Sequence, residues 1–149
     1  MKKLVVVFFA ILSLSCSDDS LPIPAASLTI TPVLIDKGLI FNANYNGTQH
    51  GEVIVNQSDW DNFRNNYWVD GITVAEANNI NFNTQMILLV FDSPRTTGGY
   101  DAVINSISEN NLNIMVQVAY SGNGDATQMP TRPYHFVKIP KSTKPVVFQ

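Results

Sequence analysis

The chain reads as an α+β domain: an antiparallel β-meander sheet of about eight strands with one principal helix packed on it. Three observations predict this. From residue 28 onward hydrophobicity alternates with a period of two, in short runs rich in Val, Ile, Phe and Tyr. Clusters of Asn, Gly and Pro separate those runs. One stretch, "QSDWDNFRNNYW", breaks the alternation and sets Trp60, Phe63 and Tyr67 on one face of a helix. The 149 residues are about one domain's length, enough to bury a core without staples. Hydrophobic residues at 45% and charged ones at 14% exclude a disordered chain, and a net charge of -3 excludes a general nucleic-acid binder.

Residues 1–15 have the parts of a secretory leader. Lys2 and Lys3 form a positive start, and "LVVVFFAIL" is an apolar run too short for the roughly twenty residues of a membrane span. Small residues, Ser13 and Ser15, then precede Cys16, the only cysteine. The pattern resembles a bacterial lipoprotein signal, which implies cleavage before Cys16 and a diacylglycerol on its thiol. Ser13 stands where such signals favour leucine, with Leu12 and Leu14 on either side. The alternative is an ordinary leader cut elsewhere, which leaves Cys16 a thiol with nothing to pair with. "SDDS" after the cysteine resembles the short acidic export signal of some surface lipoproteins, and otherwise starts a solvated tether. Residues 16–27 are that tether, with Pro22 and Pro24 stiffening it. The expected place is the cell envelope, lipid-anchored at Cys16 to the outer membrane and exposed at the surface.

A single globular domain follows over residues 28–149. "LTITPVLI" and "LIFNANY" read as the first strands, with "DKG" at 36–38 as a turn between them. Asn46 and Gly47 carry the signal of a hairpin into "EVIV". Ser58 is the expected cap of the helix, with Asp59 and Asp61 in its positive first turn. Residues 69–84 form a polar connection. "QMILLVFD" is apolar enough for a central strand, "YDAVINSISE" and "LNIMVQVAY" alternate, and Asn110 and Asn111 make the turn between them. "YHFVKIP" and "PVVFQ" complete the sheet.

A meander alternates its hairpin connections between the two ends of the sheet, so "SPRTTGG" and "SGNGDATQMPTR" should meet at one end. Both are long, polar and held by strands, as binding loops are. The expected partner-binding residues are Arg95, Thr96, Thr97, Gly98, Gly99 and Tyr100 in the first, and Asn123, Arg132 and Tyr134 in the second. The alternative is a pair of well-made turns whose tyrosines pack into the core.

At these residues the sequence resembles a known family. "TTGGYDAVI", the strand pair after it, "PYHFVKIPK" and the final "VVF", together with "SDWDNFRNNY", are similar to the C-terminal domain of the protease complex subunit PrcB family over residues 50–149. That family is named for a lipoprotein subunit that associates with a secreted subtilisin-like protease and supports its assembly or stability. The resemblance implies a protein partner, membrane attachment through lipidated Cys16, and no catalysis. A weaker similarity concerns chagasin-type protease inhibitors, which present three loops as a wedge. Thr96, Thr97 and Gly98, then Gly122 to Gly124, then Arg132, Pro133 and Tyr134 occur in that order, at shorter spacing.

An enzyme is not expected. His50 falls in a predicted turn, and His135 shares a strand face with Val137 and Ile139, as a hydrogen-bonded structural histidine does. The sequence contains no nucleophile elbow, Walker loop, dinucleotide fingerprint or zinc spacing, so neither cofactor nor metal nor nucleic acid is expected. Asn123 and Asp125 supply too few ligands for calcium.

Overall fold

A computed structural model describes residues 27–41, 47–67 and 75–149. The leader, Cys16, the tether up to residue 26, Asn46 and residues 68–74 lie outside the described residues. Eight strands and one α-helix are present among them: β1 Leu28–Ile30, β2 Val33–Ile40, β3 His50–Ile54, α1 Gln57–Tyr67, β4 Gln85–Phe91, β5 Tyr100–Glu109, β6 Ile114–Gly122, β7 Arg132–Pro140 and β8 Val146–Phe148. A 3-10 turn at Ala75–Asn78 precedes β4.

The strands do not form the single meander that the alternation predicts. They make two four-stranded sheets, one in the order β1-β5-β6-β8 and the other β2-β7-β4-β3. The reason lies in β4, which is buried along its length from Met86 to Phe91. A strand apolar on both faces needs a layer on each side. On one face Ile87, Leu89 and Phe91 pack with Phe136, Ile35 and the Trp60 and Phe63 rings of α1. On the other, Met86, Leu88 and Val90 pack with Val137 and Ile139 of β7 and with Ala102, Ile104, Ile107, Ile114 and Val116 of the second sheet. Sheet, sheet and helix therefore form three layers, with β4 and β7 in the middle one.

Three local expectations change for stated reasons. "DKG" is no turn: β2 runs through it, with a register shift between Leu34 and Asp36. Each of its polar residues has a role in the strand, since Asp36 accepts the Tyr134 hydroxyl (2.6 Å), Lys37 pairs with Asp101 (2.7 Å) and Gly38 underlies the Tyr134 ring. The helix cap is Asn56 rather than Ser58, because its Oδ1 accepts the Asp59 N–H at 2.9 Å. The Asn110 turn needs no left-handed residue. Its Oδ1 instead accepts the N–H groups of Leu112 and Asn113, and no described residue other than glycine has a positive φ.

Besides the Lys37–Asp101 pair, further contacts tie the sheets together. On one side β5 carries a bulge between Ile104 and Ser106, and the Ile104 N–H donates across to His135 Nδ1 of β7 at 2.8 Å. Burial first, and the nearby Lys37 charge second, push the His135 imidazole below its ordinary value of 6.5, with Asp101 opposing them. On the other side β8 lies parallel to β6, and the Phe148 ring packs on the backbone of Gly51 in β3.

Two predictions follow from these contacts. His135 binds its proton more weakly folded than unfolded, so its share of the stability is complete above pH 6.5 and declines as pH falls below that value. Urea titrations between pH 7.5 and 5 should show that decline, and His135→Gln, which retains an acceptor without titrating, should flatten it. Gly51→Ala drives a methyl into the Phe148 ring and should cost about 1–3 kcal/mol in the same assay.

Candidate functional site

The two long connections do meet, for a different reason from the expected one. Among the described residues β6 and β7 are not neighbours; these connections, β4 to β5 and β6 to β7, are two of the four crossings between the sheets. The β4–β7 ladder carries them side by side past its last pair, Phe91 with Tyr134. Asp92 N–H donates to Pro133 O (2.9 Å), and Arg95 and Thr131 exchange two main-chain bonds of 2.7 and 2.9 Å. Thr131 Oγ1 then donates to Thr97 O (2.7 Å), and Asp125 N–H to Gly98 O (3.1 Å). Beyond this point the chains enter β5 and leave β6, whose first pair is Tyr100 with Gly122. Four strand ends are thus gathered at one pole of the sandwich.

Glycine makes the close approach possible. Gly99, Gly122 and Gly124 all have φ between 77° and 117°, where a side chain is strained. A Cβ on Gly122 would also collide with the Gly99 carbonyl and with Tyr100.

The candidate residues divide by exposure. Thr96, Gly99 and Asn123 are exposed, and so are residues 125–130; Thr97 and Tyr100 are partly buried. Arg95 lies flat instead of projecting. Its guanidinium donates twice to the fully buried Asp92 carboxylate, at 2.8 and 3.0 Å, and rests 4.7 Å from the centre of the Tyr100 ring. Gly98 is buried against the Asp125 carboxylate.

Arg132 and Tyr134 require a correction, because neither stands in a loop. Both belong to β7, and they are only 2% and 7% exposed. Arg132 donates from Nε to Asp92 O (2.7 Å) and from Nη2 to Thr48 O (2.6 Å), and its guanidinium lies 5.3 Å from the Phe91 ring centre. The Tyr134 ring lies tilted against that of Phe136 with centres 4.5 Å apart, and its hydroxyl donates to Asp36. Burial, then the hydrogen bond to Asp36, push its phenol far above the ordinary value of 10.0. A β-strand covered on both faces explains why Arg132 and Pro133, read as loop, and Tyr134, read as the first residue of its strand, all lie in the core.

Sequence reasoning missed what Arg132 supports. Its hold on Thr48 fixes the start of β3, where His50 Nδ1 donates to Thr48 O (2.8 Å) and the ring stacks on Phe91 at 5.1 Å. Gln49, His50 and Gly51 then form one wall of a cleft of about 240 Å³, with Tyr120 and Gln149 opposite. Gln49 also hydrogen-bonds the Tyr120 side chain, whose phenol is pushed up chiefly by burial. The partners are some seventy residues apart along the chain, and only the period of "VQVAY" hinted that Val118 and Tyr120 share a face.

Removing the buried guanidinium should be costly. Arg132→Ala loses two charged hydrogen bonds and takes the donor from the buried Asp92 carbonyl, so chemical denaturation should register a loss of roughly 2–4 kcal/mol. Thr96→Ala, at an exposed position in the same pole, should stay within about 0.5 kcal/mol.

No curated protein and no solved structure matches the chain. The family model described as PrcB C-terminal matches residues 86–140, from β4 through β7, and so contains both of these crossings and the strands that pair them. Over this stretch the chain is similar to the PrcB C-terminal family.

Proposed function

We propose that the chain is a protein-binding accessory module of a protease complex, held at the cell envelope by a lipid on Cys16. The observation that carries the reading is the pole where the crossings meet. Two segments bonded to each other and to four strand ends display Thr96, Asn123 and the exposed residues 125–130 from a rigid base. The match to the PrcB C-terminal family supports a partner within a protease complex. The role is assembly or stabilisation without chemistry of its own. Both histidines serve the fold, His135 as an acceptor for Ile104 and His50 in its stack on Phe91. The inhibitor reading is weaker, since a wedge needs Arg132, Pro133 and Tyr134 at the surface and all three are buried in β7.

The test is crosslinking in intact cells followed by mass spectrometry, with a tagged chain. A protease or its precursor should be recovered, and the pair Thr96→Arg and Asn123→Arg should reduce its yield at least about tenfold, as loss of a central contact does, while thermal stability is unchanged. Equal recovery from the double variant would remove the pole from the reading. Cys16→Ala should abolish labelling by radioactive palmitate and move the chain out of the membrane fraction; retention of the label would refute the anchor.

A further inference from the structure

The sandwich closes differently on its two sides. At β5, the Ile104 N–H faces away from β6 and is taken up by His135. At β6, the outer edge is covered by β8 only part of the way. Ile114 N–H donates to Pro145 O, Gln149 N–H to Val116 O, and Val118 N–H to Gln149 O. Even-numbered residues of β6 therefore direct their main-chain groups outward. The alternation continues to Tyr120, because the register shift in this ladder adds its extra residue to β5. Among the described residues no strand pairs with β6 beyond Val118 on this side.

The side chains of Val118 and Tyr120 turn inward from that edge, into the cleft walled by Gln49, His50 and Gly51. We propose that this edge docks an extended segment of the protein partner, which continues the line of β8 along β6 and places one apolar side chain in the cleft. This rests on the protein-binding reading above and names how the partner is held.

Three observations choose an extended peptide as the occupant. The chain itself fills the neighbouring part of the same edge with β8, and Phe148 sits on Gly51, so strand addition with an inward apolar residue is already the local geometry. The cleft, at about 240 Å³, falls below the roughly 300 Å³ at which pockets begin to take drug-sized ligands, and it suits a single side chain. Exposed edges are ordinarily guarded by charge or proline, and "QVAYSG", residues 117–122, has neither. Main-chain pairing then supplies affinity, and the cleft supplies selectivity.

The experiment pans the full chain against a phage library of random nonapeptides and follows amide hydrogen exchange with the enriched peptide added. Enriched peptides should share one apolar residue between β-branched neighbours, and should slow exchange at Tyr120 by about tenfold or more, as a new main-chain hydrogen bond does. Tyr120→Pro removes the outward N–H and should weaken binding about tenfold, and Gln49→Trp, at an exposed position, should block the cleft with the fold intact. Failure to enrich any peptide, or enrichment of peptides that leave exchange at Tyr120 unchanged, overturns the proposal. If cellular crosslinking still recovers the partner in that case, the accessory reading stands and only the β6 edge is lost. If neither succeeds, both fall.

Discussion

Everything in this fold depends on covering both faces of β4. A run of six buried residues from Met86 to Phe91 cannot lie on the surface of a single layer. Its antiparallel partner β7 shares the constraint, with Phe136 turned to one side and Val137 and Ile139 to the other. The helix supplies one cover through Trp60 and Phe63, and the second sheet supplies the other. Once β4 and β7 occupy the middle layer, the strands after β4 and before β7 must leave it. Those departures are the two crossings that meet at the pole.

The pole proposed as a recognition surface is therefore a by-product of layering. Two chains leaving adjacent strands toward the same neighbouring sheet run together, so they bond to each other before they part. Polar groups in that bundle have little water, and they are satisfied in pairs: Asp92 by Arg95 and by the Ser93 N–H, the Asp92 carbonyl by Arg132. The bidentate ion pair has one partner fully buried and the other about one third exposed, an arrangement that fixes geometry more than it adds stability. A rigid base with exposed, polar tips is what a recognition surface requires, because less entropy is lost on binding.

Arg132 links this pole to the cleft. One guanidinium holds the Asp92 backbone of the first crossing and the Thr48 carbonyl that leads into β3. The aromatic stack of His50 on Phe91 then completes the wall. An arginine suits this task because its planar fork serves several acceptors at fixed angles while its flat face lies on a ring.

The sequence by itself determined the class, the elements and most of their limits. Period-two runs located β5 and β6, an unbroken apolar run located β4, and Trp60 and Phe63 set the helix against a sheet, because local patterning depends only on which faces are buried. It also determined that "TTGG" lies in a connection and that the chain turns away at "GNG", where β6 ends, since glycine at positive φ is a local need. Only the tertiary structure decided which sheet each strand joins, that "DKG" extends through Tyr134, Asp36 and Lys37 contacts, and that β8 pairs in parallel. It alone decided that Arg132 and Tyr134 face inward. Pairing between strands far apart in the chain leaves no mark on either strand separately, whereas the burial of each face does.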